Sequence, residues 1–206
     1  ANSISTEMGV MRTTLWTGLV NAVQHNLARQ QRRIRLFESG LRFISEPSDI
    51  KQDKCISGIV TGNLFAEQWA SPAQAVDFYD VKGDVEALLD GCGVSAEFQA
   101  AAHPALHPGQ TASIRIGERL AGWVGCIHPG LAQQFEIPSR TYLFELELQS
   151  LLKGSVASFQ KLSRFPSIRR DLAIVVNAKT PASALCGAIH QQAGQLLQDL
   201  LVFDVY

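Results

Sequence analysis

Three features of the 206-residue chain predict an α+β fold built on an antiparallel sheet. Apolar residues recur at helical spacing in two long segments, and each segment is followed by short runs in which apolar residues alternate. Tight connections containing glycine separate those runs, as expected for strands that turn back on their neighbours. Near the end, a helical segment lies between two strand-like runs. Small residues around Gly154 and Ser155 mark a link, so a first domain is predicted over 1–153 and a second over 154–206.

In the first domain, Thr13 or Thr14 is placed to cap a helix whose buried stripe is Trp16, Leu19, Val20, Val23 and Leu27. An arginine cluster follows. Ile34 and Leu36, then Leu41 and Phe43, alternate on either side of Gly40, suggesting two strands, and Glu46-Pro47-Ser48-Asp49 reads as a loop. Cys55 to Thr61 makes a third strand. After Trp69 and Ser71-Pro72 a second helix buries Val81, Val85, Leu88 and Leu89, exposes Lys82, Asp84 and Glu86, and has Gly91 as its stop. Ile114 and Ile116, the Gly117-Glu118 connection, and Leu120, Trp123, Gly125 and Ile127 describe a hairpin. A short helix follows His128-Pro129. Tyr142, Phe144, Leu146 and Leu148 then alternate with Leu143, Glu145 and Glu147, the pattern of a half-buried strand.

In the second domain, Leu172 to Val176 reads as a strand, Thr180-Pro181 as a cap followed by proline at the first helical position, and Leu185, Ile189, Ala193, Leu196 and Leu197 as the apolar face of a helix. A strand from about Leu200 to Val205 would complete a β-α-β unit. The start at Ala1 and the close on strand-like Leu201, Phe203 and Val205 suggest a piece of a longer polypeptide.

Composition narrows the function classes. The chain is 46% hydrophobic and 18% charged, with a formal net charge of -1, so attraction to nucleic acid must come from local patches. Arg29, Arg32, Arg33, Arg35 and Arg42 form one patch, and Lys161, Arg164, Arg169 and Arg170 form another. Cys55, Cys92, Cys126 and Cys186 are too scattered for a zinc knuckle or redox dithiol, which suggests a reducing cytoplasm. No apolar run is long enough to span a bilayer.

Few residues suggest catalysis. Glu145 and Glu147 share a strand face, a spacing that suits either a solvated surface or a magnesium site. His103 and His107 are four apart, but each precedes a proline that disfavours helical geometry, so the segment to Gly109 reads as a structured loop. Cys126 and His128 lack further ligands nearby. Neither a phosphate cradle nor a nucleophile elbow is present. Arg164, Arg169 and Arg170, at a basic turn ahead of a strand, are the best candidates for phosphate contacts, because guanidinium groups bind phosphate oxygens in pairs.

Five ordered segments carry a resemblance. They are Ser5 to Leu19, Arg35 to Phe43, Val76 to Asp84, His103 to Gln110 and Tyr142 to Leu148. Together they resemble the catalytic-like region of the bacterial phenylalanyl-tRNA synthetase beta subunit. Arg164 to Leu172 and Phe203 to Tyr206 resemble the first half of that family's ferredoxin-fold anticodon-binding domain. The resemblance implies a class II aminoacyl-tRNA synthetase-like antiparallel sheet with flanking helices, then a partial ferredoxin-like β-α-β unit. It also implies a cytoplasmic enzyme of two alpha and two beta subunits that joins phenylalanine to its tRNA, with ATP and magnesium used by the parent enzyme and no cofactor expected in this piece.

The departures from class II catalytic domains matter as much. Arg35-Leu36-Phe37-Glu38 only superficially matches the arginine motif that holds the adenylate. The segment after Tyr142 lacks a glycine-rich run ending in arginine. The resemblance therefore implies a non-catalytic support for the alpha subunit, with part of a tRNA surface. Two alternatives stay open, a stand-alone RNA-binding or scaffolding relative, and a catalytic domain in which Glu145 and Glu147 hold magnesium with ATP.

Overall fold

The computed structural model describes residues 9–47, 49–152 and 166–205. It divides into two compact units, Ala1–Ser158 and Phe159–Tyr206.

The first unit is α+β, as the periodicity predicts. Its elements in chain order are α1 (Trp16–Leu27), β1 (Ile34–Ser45), β2 (Ile50–Thr61), α2 (Phe78–Gly91), β3 (Glu97–Ala100), β4 (Leu106–Ile116), β5 (Arg119–Ile127), α3 (Pro129–Gln134), β6 (Thr141–Glu147) and α4 (Leu148–Leu151). The six strands form one sheet in the order β1-β2-β6-β5-β4-β3. Every neighbouring pair is antiparallel.

Alternation along the strands divides the core between the two faces of the sheet. On one face, Val81, Val85 and Leu89 of α2 pack with Val60, Ile114, Val124, Tyr142 and Leu146. On the other, Trp16, Leu19, Val20 and Val23 of α1 pack with Ile34, Ile59, Leu106, Ile127 and Leu143. Each wholly buried Leu, Ile or Val contributes about 1.5–3 kcal/mol relative to exposure. Because α1 and α2 lie on opposite faces, β6 is enclosed on both. The expected half-buried strand is therefore corrected, since Leu143, Leu146 and Glu145 are all buried.

Other local expectations also change. The strand predicted to break at Gly40 runs unbroken from Ile34 to Ser45, so β1 and β2 form one long hairpin in place of three strands. Gly40 is small because Arg12 crosses there, its side chain filling the space a Cβ would need. Arg12 also lines the outer edge of β1, where its carbonyl accepts from the Phe43 amide at 2.8 Å and its Nε donates to the Leu41 carbonyl at 2.9 Å. This covers part of an edge that would otherwise present free backbone groups. The second helix continues through Gly91, and Gly93, with φ 66°, makes the left-handed turn after it. Its start is a capping box between Asp77 and Asp80.

The second unit departs further from expectation. Its helix, α5 (Ala182–Ala193), forms next to the predicted Thr180-Pro181 start and continues into a 3-10 turn over Gly194–Leu196. Leu185, Ile189, Ala193 and Leu197 are half-buried, but Leu196 is exposed. Neither predicted strand is present among the described residues, since 172–176 and 200–205 run without ladder bonds. Among the described residues neither segment has a hydrogen-bonding strand partner, and Val175 is wholly exposed.

Two glycine substitutions test the packing. A Cβ on Gly122 would run into the Glu145 carbonyl across the β5–β6 ladder, whereas one on Gly83 in α2 meets nothing. Gly122→Ala is expected to lower unfolding free energy by about 1–3 kcal/mol. Gly83→Ala is expected to raise it by about 0.5–1 kcal/mol. Urea unfolding followed by circular dichroism checks both.

Candidate functional site

Arg42 lies at the centre of a charged cluster on the α1 side of the sheet. From β1 its Nη1 donates to Glu145 at 3.2 Å, and its Nη2 donates to Glu147 at 2.9 Å and to Asp53 at 3.2 Å. The register places Asp53 directly across from Arg42, and Glu145 and Glu147 on the next strand but one. Lys51 donates to Asp53 at 3.0 Å, while Arg119 of β5 donates to Glu147 at 2.5 Å. Four strands thus contribute to one ion-pair cluster. Burial works against the Asp53 charge, but hydrogen bonds from Lys51 and Arg42 outweigh it and hold the carboxyl below its usual range.

Glu145 is 5% exposed and is fully engaged. Its second oxygen accepts from the Thr14 hydroxyl and from the Leu15 amide, both at 2.8 Å. Leu15 is the residue before α1, so a carboxylate from the central sheet sits at the positive end of that helix. The predicted threonine cap is corrected accordingly. Thr14 accepts from the Trp16 amide at 3.2 Å while giving its own proton to Glu145. These contacts also correct both readings of the glutamate pair. Neither carboxylate faces open solvent, and both bind cationic side chains of this chain where a magnesium ion would need them.

Above this cluster the ring of His103 lies between those of Trp16 and Trp123, with centroids 5.2 and 5.0 Å away. Burial lowers the His103 pKa, and the opposing attraction of Glu145 is smaller. Its Nδ1 accepts from the Ala105 amide at 3.2 Å. His107 and His128 repeat the arrangement, accepting from Gly109 at 3.0 Å and Gly130 at 3.1 Å. All three histidines precede proline, which has no amide hydrogen, and each ring takes the next available N–H. The three His-Pro pairs were a readable sequence signal for turns. The predicted loop ends earlier than expected, because Leu106 already belongs to β4 and carries His107 into the strand.

Burial pushes the Cys55 thiol up to about 11, so it is not a nucleophile near neutral pH. The Cys126 thiol is also raised by burial, and its sulfur points at the Ser139 carbonyl, 3.1 Å away. Among the described residues, no group of three or more His, Cys, Asp or Glu side chains is arranged to hold a metal ion. A cavity of about 550 Å³ is lined in part by Asp77, His107, Gln110, Arg140 and Tyr142. Asp77 there is already committed to capping α2.

The candidate phosphate-binding arginines belong to the second unit. Arg164 lies outside the described residues. Arg169 and Arg170 are exposed, and Arg169 sits 3.5 Å from Asp171 in an open ion pair. A pair that exposed is worth little and leaves the guanidinium available. The first arginine patch separates by partner. Arg35 binds Asp84 and Arg42 binds Asp53, Glu145 and Glu147, whereas Arg29, Arg32 and Arg33 have no carboxylate partner among the described residues.

The fold can be set beside the similarities to known proteins. Residues 1–148 match the family described as the phenylalanyl tRNA synthetase beta chain CLM domain, and residues 163–206 match the ferredoxin-fold anticodon binding domain. The chain thus joins a synthetase beta-chain domain to an anticodon-binding segment. Relatives named phenylalanine–tRNA ligase beta subunit are 48% identical in Nitrosococcus oceani, 49% in Pseudomonas putida and 48% in Hahella chejuensis, each over 100% of this chain. The chain belongs to the phenylalanine–tRNA ligase beta-subunit family. It spans 26% of the length of these relatives.

Two measurements test the cluster. Arg42→Met removes the cation from Glu145, Glu147 and Asp53 and is expected to cost about 3 kcal/mol in chemical unfolding. Adding Glu145→Leu is expected to recover part of that loss. For His103, a lowered folded-state pKa means that its neutral form contributes stability above the ordinary value of about 6.5. That contribution disappears as pH falls from there through the lowered value. Thermal unfolding of the wild type should show a drop between pH 7.5 and 5.5 that is smaller in His103→Gln.

Proposed function

We propose that this chain serves as the part of a phenylalanine–tRNA ligase beta subunit that supports the alpha subunit and contributes to tRNA binding, without adenylate chemistry of its own. The observation carrying this reading is the occupation of the Glu145 and Glu147 carboxylates by Arg42 and Arg119. A carboxylate pair serving magnesium and ATP needs free oxygen ligands, and these oxygens are committed to guanidinium and backbone donors.

In this reading the antiparallel sheet is a class II synthetase-like scaffold, with a non-catalytic domain over 1–153 and the first half of an anticodon-binding domain over 154–206. The parent ligase would attach phenylalanine to its tRNA with ATP and magnesium, acting in the cytoplasm as two alpha and two beta subunits. Adenylate formation belongs to the alpha subunit. Arg164, Arg169 and Arg170 contact tRNA phosphates. Family membership and the anticodon-binding match at 163–206 support this assignment.

The assembled ligase carrying Arg164→Ala, Arg169→Ala and Arg170→Ala tests the tRNA role. Its affinity for tRNA should fall, and the slope of log affinity against log salt should flatten by about 0.7–0.9 for each phosphate no longer neutralised. Phenylalanine-dependent ATP–pyrophosphate exchange should stay at the wild-type rate. Unchanged tRNA affinity and salt slope would remove the three arginines from the phosphate-binding role.

A further inference from the structure

Arg29, Arg32 and Arg33 are exposed at the end of α1 and beyond it. The helix dipole accounts for a basic residue in the last turn, His25, but not for three arginines past that turn. Arg29 donates to the His25 carbonyl at 3.1 Å, and Arg33 reaches across to the Leu64 carbonyl at 3.0 Å. The segment leaving β2 begins against these arginines. At Gly62, with φ 93°, any side chain would strike the Arg32 backbone. Arg140 belongs to the same neighbourhood, because its carbonyl accepts from Thr61 Oγ1 at 3.2 Å while its side chain is exposed.

That segment forms a closed loop. Leu64 N–H donates to the Gln74 carbonyl at 2.8 Å, and Val76 N–H donates to the Gly62 carbonyl at 3.0 Å. Between these ties, Trp69 is 99% exposed and Phe65 53% exposed. An indole presented in this way contributes nothing to the core, unlike the buried Trp16. Glu67 is the acidic side chain on the loop, and it is exposed.

We propose that Arg29, Arg32, Arg33 and Trp69 form a second RNA-binding surface, on the first unit, that takes an unstacked single-stranded segment. The arginines hold backbone phosphates, and the indole stacks on a base. A protein partner is less well matched by this chemistry. In sequence Trp69 is flanked by Gln68, Glu67, Ala70 and Ser71, whereas protein interfaces deplete charge at their centre. The surface depends on the proposed tRNA function only for the identity of its RNA.

The test uses the ligase assembled from full-length subunits, titrated with a single-stranded oligouridylate and separately with tRNA while tryptophan emission is recorded. The oligonucleotide is expected to quench emission in the wild type. Trp69→Ala should abolish that quenching and weaken oligonucleotide binding about tenfold. The pair Arg32→Ala and Arg33→Ala should reduce the salt slope by about 1.4. Unchanged affinity and slope in these variants, or loss of subunit assembly in Trp69→Glu with oligonucleotide binding intact, would overturn the proposal. Parallel titration of Arg169→Ala with Arg170→Ala separates the two surfaces. Retained tRNA binding there counts against the anticodon-domain reading alone, since the Trp69 signal is read with the oligonucleotide.

Discussion

The carboxylate of Glu145 is the constraint around which the first unit is arranged. It lies in the interior of the sheet, where an unpaired charge would be costly, and it is met by one cation and two uncharged hydrogen-bond donors. Arg42 reaches it from β1, while the Thr14 hydroxyl and the Leu15 amide meet it from the start of α1. This fixes the helix on one face and the β1–β2 hairpin at the edge. Arg42 then carries the network to Asp53 and Glu147, and Arg119 ties in β5. Among the described residues the Arg42 Nε has no partner, so even the organising cation is not fully satisfied there.

The same network determines what the domain does in chemical terms. Two glutamates at strand spacing are compatible with metal binding, but only if their oxygens are available. Here the protein supplies the counter-charges itself, and the neighbouring His103 is a hydrogen-bond acceptor set edge-on to one indole and tilted to the other. The result is a stabilised protein face where the glutamate pair alone would have allowed chemistry. Other exposed cations, Arg29, Arg32 and Arg33, lie outside this network, at and beyond the end of α1.

The second unit shows how dependent β structure is on partners. Its helix forms from local signals, because a helix satisfies its backbone internally. The flanking segments have the composition of strands, with Leu172, Ile174, Val176, Leu201 and Phe203 all apolar, yet they make no ladder. Strand propensity supplies no hydrogen-bond partner. That pairing depends on chain distant in sequence, which no local pattern contains.

By itself the sequence determined the α+β class, the stripes of α1 and α2, the β4–β5 hairpin and the ordered motifs that place the chain in its family. These are local or ordered along the chain, since periods of 3.6 and 2 record which face of each element is buried. Tertiary structure alone decided the continuity of β1 through Gly40, the burial of β6 on both faces, and which arginines pair with carboxylates among the described residues. Arg42 and Glu145 are 103 positions apart, and their pairing comes from strand order, not spacing. Before that order is known, five arginines form one basic patch; afterwards, Arg35 and Arg42 belong to the fold, and Arg29, Arg32 and Arg33 remain exposed to solvent.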